Sequence, residues 1–159
     1  MWKTFLTICL SFFLWIGGAN YLIPNYSYSS NMALSATLSS EEIEEVVAQF
    51  LTNIPRGYYG VKEADEIERL VEKENAQLID VREPLEYVRG HILNAINIPL
   101  RDLVKKQDKI AKDRPVILYC SVGYRTAIGL EALRLLGYDN VMGYPGSVEG
   151  WKATGKSLN

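Results

Sequence analysis

Residues 115–125 have the sequence PVILYCSVGYR, in which an apolar run leads directly into a loop that begins with a cysteine. Its first half is a short apolar run that begins at Pro115 and stops at Cys120, which is typical of a buried strand in a parallel sheet. The residues that follow predict a helix over 126–136 that closes on Gly137. The segment therefore predicts a strand, a short loop that begins with a cysteine, and a helix.

The same alternation of short apolar runs and amphipathic segments extends along the chain in both directions. The expected strands cover 77–81, 95–98, 115–119 and 140–144, the expected helices cover 62–75, 84–89, 101–111 and 126–136, and a turn carrying Trp151 follows. Strands that alternate with helices predict an α/β fold, with a central parallel sheet and helices on both faces. At 159 residues the chain has room for one such domain and little more.

Cys120 lies where an open α/β sheet is expected to carry its chemistry. Ligands of such sheets bind beyond the carboxyl ends of the strands, and this cysteine directly follows a strand. Gly123 allows the loop to curl with its N–H groups inward, and the helix N-terminus and Arg125 add positive charge. Because a thiolate in such surroundings has a depressed pKa and is the reactive form of cysteine, we predict that Cys120 is a nucleophile.

The loop from Cys120 to Arg125 resembles the C-x-x-G-x-R active loop of the rhodanese family. Segments on both sides resemble the same family. They are Asp80-Val81-Arg82-Glu83-Pro84, Glu86-Tyr87, Gly90-His91-Ile92 and Ala95-Ile96-Asn97-Ile98-Pro99 before the loop, and Leu136-Gly137-Tyr138, Gly146 and Trp151 after it. The likeness covers about residues 58–155. Each motif alone is weak, whereas their ordered combination is specific.

The resemblance implies a rhodanese-type sulfurtransferase that needs no cofactor. Its nucleophile, Cys120, would take sulfane sulfur from a donor such as thiosulfate or a similar anion. The resulting persulfide would pass the sulfur to a thiol, to cyanide or to a protein thiol. The substrate-binding groups that it implies are the backbone N–H groups of Ser121, Val122, Gly123, Tyr124 and Arg125, and the supporting residues are Asp80 and Arg82.

Neighbouring chemistries fit the sequence less well. Protein tyrosine phosphatases need five residues between cysteine and arginine, whereas four separate Cys120 from Arg125 here. Tyr119 also stands where those phosphatases carry a histidine. The only histidine, His91, matches a family position that usually serves structure. If cleavage of the N-terminal segment near Ala19 removes Cys9, one histidine and one cysteine remain, which cannot assemble a metal-ligand cluster.

Two features depart from the family pattern. The family often has a Gly-Gly pair before its tryptophan, but here Gly146 is followed by Ser147, which puts the local turn in doubt. Ser121 and Val122 are uncharged, so the rim of the loop offers little attraction for thiosulfate. A physiological donor other than thiosulfate therefore stays open.

The overall charge limits the classes of partner. The formal net charge is −2 and the sequence pI is about 5.5, which gives no basic surface for nucleic acid or for anionic lipid. We therefore expect a small sulfur donor and a thiol acceptor as partners, with no nucleic acid.

The N-terminal part of the chain has its own organisation. Residues 1–19 predict a signal peptide or a membrane anchor, 20–38 a linker, 39–57 an N-terminal helical extension, and 58–155 the rhodanese-like domain. A capping box from Ser39 to Glu42 begins the extension, and its apolar stripe, which predicts a packing role, consists of Ile43, Val46, Val47, Phe50 and Leu51. Cleavage near Ala19 would remove Cys9 and export the domain to the periplasm or another extracytoplasmic compartment. An uncleaved segment would instead tether the domain to a membrane, where it would act as a protein-fed sulfur carrier or binding module with little turnover of small molecules.

Overall fold

Four parallel strands form the centre of the fold. The computed structural model of the chain describes residues 39–54 and 56–159. The strands are β1 (Gln77–Asp80), β2 (Ile96–Asn97), β3 (Val116–Tyr119) and β4 (Val141–Gly143), in the order β2-β1-β3-β4. Each lies within one residue of its predicted bounds at either end. The register places Asp80 at the end of β1 beside Tyr119 at the end of β3.

The helices confirm the predicted α/β fold. They are α1 (Ser40–Thr52), α2 (Ala64–Glu74), α3 (Pro84–Val88), α4 (Tyr124–Leu135) and α5 (Ser147–Ala153). All strand pairs are parallel, because each connection returns the chain to the same end of the sheet. The carboxyl ends of β1 and β3 therefore open onto one edge of the sheet, where the loop after Tyr119 begins.

One face of the sheet is covered by α2 and α5. Leu78 of β1 and Ile117 of β3 are buried in a cluster with Ile67 of α2 and Trp151 of α5. Alternate residues of a strand point to opposite faces, which explains why Ile79 and Leu118 do not belong to this cluster. The tryptophan is a core residue.

The other face of the sheet is covered by α4. Ile79 of β1 and Leu118 of β3 pack there with Leu130 of α4, and Cys120 belongs to the same buried cluster. Cys120 continues the alternation of β3 and so points towards α4. The strand therefore delivers the cysteine side chain beneath the N-terminus of this helix.

The helix predicted for 101–111 is wrong. The chain forms two short 3₁₀ turns there instead, Leu100–Asp102 and Gln107–Lys109. Of this segment's apolar side chains, Leu103 and Ile110 are buried, and they stand seven residues apart. Two isolated anchors do not make the continuous apolar stripe that holds a surface helix against a sheet.

The turn predicted around Trp151 is also wrong, because α5 forms there. Val148 and Trp151 stand three residues apart and are both buried on one side of the helix. Spacing of this kind gives even a short helix an apolar face to pack. The helix begins at Ser147, the position at which the sequence departs from the family pattern.

The N-terminal extension contains the predicted helix, α1, and its capping box. The backbone N–H of Ser39 donates to the Glu42 carboxylate at 2.6 Å, and the Glu42 N–H donates to the Ser39 hydroxyl at 3.2 Å. The stripe is covered less than a packing role predicts: Phe50 is partly buried, with its ring edge-on to Tyr58, whereas the other four apolar residues are 38–57% exposed. The helical period of the stripe therefore predicted the helix but not how far its apolar side chains are buried.

The predicted signal or anchor and the linker lie outside the described residues. Within 39–54 and 56–159, no helix is both long enough and apolar enough to cross a bilayer.

Candidate active site

Cys120 sits in a buried position directly after β3. The residue is 1% exposed. Its backbone carbonyl accepts a hydrogen bond from the Val148 N–H at 3.1 Å, and the Ser121 carbonyl accepts one from the Glu149 N–H at 3.1 Å. The first turn of α5 therefore ties down the backbone on either side of the cysteine.

Gly123 shapes the loop that follows. Its φ is +100°, in the region that favours glycine, and a Cβ atom there would lie 2.7 Å from the Pro145 carbonyl oxygen. The resulting turn brings the Gly123 N–H within 3.1 Å of the Cys120 Sγ. The turn is tight enough that α4 begins at Tyr124, two residues earlier than predicted.

Hydrogen-bond donors from three parts of the chain converge on the Cys120 sulfur. Burial raises the pKa of the thiol, but the side chain and backbone of Thr126, the Gly123 N–H and the Ser147 hydroxyl lower it, and the pKa falls from 9.0 to about 7. The Ser147 Oγ lies 3.7 Å from the sulfur. Hydrogen bonds to the ionised form stabilise it more than burial disfavours it. The thiol therefore ionises closer to neutral pH than an ordinary cysteine does.

Arg125 is held by a carboxylate that the predicted site did not include. Its two terminal nitrogens donate to the Glu86 carboxylate of α3 at 2.6 and 2.8 Å, and one of them also donates to the Ser121 hydroxyl at 2.9 Å. Arg125 and the Ser121 hydrogen bond lower the pKa of Glu86 to about 2 against the effect of burial. Glu86 in turn raises the pKa of Arg125, and the Cys120 thiolate acts in the same direction. The arginine thus lies near the sulfur, with its charge opposed by Glu86.

Asp80 and Arg82 form a buried ion pair at the end of β1. The Arg82 guanidinium donates to the Asp80 carboxylate at 2.6 Å and to the Gly90 carbonyl at 2.7 Å. The Arg82 side chain is 7% exposed and the Asp80 side chain is 0% exposed. These contacts fix the loop between α3 and β2. The ion pair therefore stabilises the surroundings of the active loop, and the contacts named for it do not include the Cys120 sulfur.

The remaining predicted residues lie on the rim of the loop. Val122 is 55% exposed and Tyr124 is 80% exposed, so both side chains face solvent. His91 lies away from the sulfur network: its Nδ1 is 3.1 Å from the Tyr87 carbonyl oxygen, and its ring stacks on that of Tyr87. Among the described residues, no group of three potential ligand side chains could hold a metal ion.

Sequence reasoning missed three residues of the site: Glu86, Thr126 and Ser147. Glu86 is part of the motif that carried the resemblance, but nothing in the motif shows what its carboxylate binds. Thr126 comes directly after the C-x-x-G-x-R pattern. Ser147 did leave a signal, because it replaces a residue that the family pattern expects to be glycine.

Comparison with known proteins decides the family. The model of the rhodanese-like domain matches residues 63–154. The chain belongs to the rhodanese family. This match covers the parallel sheet, the active loop and all of α5, and it leaves out α1.

Individual relatives agree with this assignment. An uncharacterised Bacillus subtilis protein, YqhL, is 43% identical over 76 residues, which are 48% of this chain and 60% of that protein. The mitochondrial thiosulfate sulfurtransferase RDL2 of Saccharomyces cerevisiae is 33% identical over 137 residues, covering 77% of this chain and 89% of the yeast protein.

A solved structure agrees as well. The crystal structure of a rhodanese-related protein from Thermoplasma volcanium matches with a TM-score of 0.55 and 32% identity, over 62% of this chain and 95% of that one. The family and its named members support a sulfurtransferase type of function.

Proposed function

We propose that this rhodanese is an exported sulfurtransferase that carries sulfane sulfur as a persulfide on Cys120. The donor would be thiosulfate or a similar anion, and the acceptor a thiol, cyanide or a protein thiol. One observation carries the proposal: the Cys120 sulfur lies at the carboxyl end of β3, and donors from Gly123, Thr126 and Ser147 lower its pKa to about 7. A thiolate that is populated at neutral pH is a competent nucleophile.

The reaction follows in two displacement steps. The Cys120 thiolate attacks the sulfane sulfur of thiosulfate, a new S–S bond forms, and the electron pair of the old S–S bond leaves with sulfite. The outer sulfur of the resulting persulfide is then attacked by the acceptor, and the electron pair of that bond returns to Cys120. The hydrogen-bond donors that stabilise the thiolate also stabilise the anionic persulfide, because the negative charge stays within the same loop.

Burial of the cysteine limits the shape of the donor. With the residue 1% exposed, the donor has to present its sulfur atom end-on to the loop. The terminal sulfur of thiosulfate is a single atom and meets this requirement. A persulfide at the end of a flexible side chain meets it as well.

A second function, that of a protein-fed sulfur carrier tethered to a membrane, is favoured by the paired charge of the loop. The guanidinium of Arg125 is bound on both terminal nitrogens by Glu86, and Ser121 and Val122 add no charge. A loop without a free positive charge attracts a dianion weakly. In this role Cys120 would receive sulfur from the persulfide of a docked protein and turn over small donors slowly.

Mass spectrometry of the mature protein tests the persulfide. After incubation with thiosulfate, we expect the peptide that contains Cys120 to gain one sulfur atom, and cyanide to remove it. The Cys120→Ser variant serves as the control and should gain none. If thiosulfate leaves the wild-type peptide unmodified while a cysteine persulfide donor loads it, the protein-fed carrier is the better description. If neither donor loads it, sulfur transfer through Cys120 is wrong.

Export is tested separately by the N-terminal sequence of the mature protein. A start near Asn20 would support cleavage of the predicted signal peptide. Retention of residues 1–19 together with recovery in the membrane fraction would support the tethered form. Retention with recovery in the soluble cytoplasm would contradict both forms.

A further inference from the structure

Ser147 has an unusual backbone conformation at the start of α5. Its φ is +53°, in the left-handed region, and the residue is fully buried. Side chains with a Cβ atom are strained in this region, whereas glycine is not. Strained positions of this kind cluster at functional sites, where the surrounding contacts hold them. Serine carries a hydroxyl that glycine lacks, and this hydroxyl lies next to Cys120.

The Ser147 hydroxyl lies at the centre of the hydrogen bonds beneath the cysteine. It accepts a hydrogen bond from the Cys120 N–H at 3.1 Å. Its Oγ lies 3.0 Å from the Tyr144 carbonyl oxygen, 3.4 Å from the Thr126 hydroxyl and 3.7 Å from the Cys120 Sγ. A hydroxyl has a single proton to donate. It can therefore serve either the Tyr144 carbonyl or the sulfur, but not both fully.

The Tyr144 carbonyl does not depend on this proton. It also accepts a hydrogen bond from the Ser147 backbone N–H at 3.2 Å. When the sulfur becomes anionic, rotation of the hydroxyl towards it replaces a neutral hydrogen bond by a charge-assisted one, which is the stronger of the two. The bond from the Cys120 N–H to Oγ is compatible with either orientation, because Oγ accepts it through a lone pair.

We propose that Ser147 contacts the reacting sulfur and that its hydroxyl turns to donate a hydrogen bond to Cys120 when the sulfur is ionised. In this account the strained backbone of Ser147 persists because it positions the hydroxyl beneath the cysteine. The proposal rests on the proposed function only in treating Cys120 as the nucleophile.

Other charged groups surround the loop and are common to all the variants compared below. Arg125 of α4 interacts with the Cys120 thiolate, and Glu86 of α3 binds Arg125. The Asp80–Arg82 pair lies at the end of β1, and Glu149 of α5 donates its N–H to the Ser121 carbonyl. Substitution of Ser147 changes none of these charges. A change in the ionisation of Cys120 between the variants therefore reports on the serine.

The experiment compares Ser147→Ala with Ser147→Gly in the full-length chain. Both substitutions remove the hydroxyl, but only alanine keeps a strained Cβ atom, so the alanine variant should be the less stable of the two in urea. The rate at which iodoacetamide alkylates Cys120 is measured against pH by mass spectrometry of its peptide. This probe is uncharged, needs no sulfur donor and reports the fraction of thiolate.

We expect the midpoint of the pH profile to rise by a similar amount in both variants. At pH 7 the alkylation rate should fall about threefold to tenfold, which is the effect of losing one hydrogen bond to a charged group. The plateau rate at high pH should be retained. Thr154→Val is the matched control, since it removes another hydroxyl of the same region, bonded to the Trp151 carbonyl at 2.7 Å, and should leave the midpoint unchanged.

Two outcomes would overturn the proposal. In one, Ser147→Gly keeps the wild-type midpoint, which would mean that the hydroxyl does not act on the sulfur. In the other, the midpoint shifts only in the less stable alanine variant, which would assign the effect to strain. Because alkylation does not involve sulfur transfer, a failure of the persulfide test leaves this result interpretable, and the reverse also holds.

Discussion

Replacing Glu86 by glutamine should change which sulfur donors the active loop accepts. The Glu86 carboxylate binds both terminal nitrogens of Arg125, at 2.6 and 2.8 Å, so the positive charge of the arginine is opposed. Glutamine has nearly the same size and keeps one acceptor oxygen, but it carries no charge. In the variant the positive charge of Arg125 near the sulfur is left uncompensated.

The magnitude follows from the position of the pair. The side chains of Arg125 and Glu86 are 31% and 33% exposed, so their surroundings lie between protein interior and bulk water. With an effective dielectric constant of about 50 and a separation of about 7 Å, removing one charge changes the free energy of donor binding by about 1 kcal/mol per donor charge. Thiosulfate carries two negative charges and the methanethiosulfonate ion carries one. The substitution should therefore favour thiosulfate by about 2 kcal/mol and methanethiosulfonate by about 1 kcal/mol.

The ratio of the kcat/KM values for the two donors isolates the effect of the charge. Loosening of Arg125 slows the reaction with both donors alike, whereas the charge effect separates them. The ratio of kcat/KM for thiosulfate to kcat/KM for methanethiosulfonate should rise about fivefold in Glu86→Gln, measured at low salt with cyanide as the acceptor. Higher ionic strength should reduce this rise, because salt screens a partly exposed charge.

A matched control makes the result decisive. Glu72→Gln changes the net charge of the protein equally at an exposed position of α2, and it should leave the ratio of the two donors at the wild-type value. An unchanged ratio in Glu86→Gln would refute the reasoning, and so would an equal rise in Glu72→Gln.

Three further substitutions or conditions test the geometry of the site. Alkylation of Cys120 should be half-maximal near pH 7 and level off above it, since the pKa is about 7, and a midpoint near the ordinary 9.0 would contradict the hydrogen-bond network. Asp80→Ala should lower the free energy of unfolding in urea by about 3–5 kcal/mol, because it leaves Arg82 buried without its partner. Gly123→Ala should cost about 2–4 kcal/mol in the same assay, from the positive φ and the contact with the Pro145 carbonyl, and a loss below about 1 kcal/mol would show that the loop relaxes easily.

The sequence determined the local parts of this protein. Each of these features depends on residues within a few positions of one another: the strand that ends just before Cys120, the loop that turns at Gly123, and the capping box of Ser39 and Glu42. The spacing of apolar residues and the residue types of turns predict such features directly, because both act between neighbouring residues of the chain. For the same reason the alternation of strands and helices was enough to predict a parallel α/β sheet.

Helical periodicity alone did not predict every helix correctly or which apolar side chains are buried. The segment 101–111 has residues typical of a helix, but its two buried anchors hold it as 3₁₀ turns. The stripe of α1 forms the predicted helix while most of its apolar residues stay exposed. Helix propensity and periodicity indicate where a helix can form. Packing against neighbouring helices and strands determines whether its apolar side is buried.

Only the tertiary structure decided which side chains meet at the sulfur. The bond from Ser147 to Cys120 joins residues 27 positions apart, and the bond from Arg125 to Glu86 joins residues 39 positions apart. Such contacts depend on how α3, α4 and α5 pack around the end of β3, which no local pattern specifies. The sequence therefore predicted Cys120 as the nucleophile, whereas the packing of distant segments decided which hydrogen-bond donors surround its sulfur and how the charge of its loop is balanced.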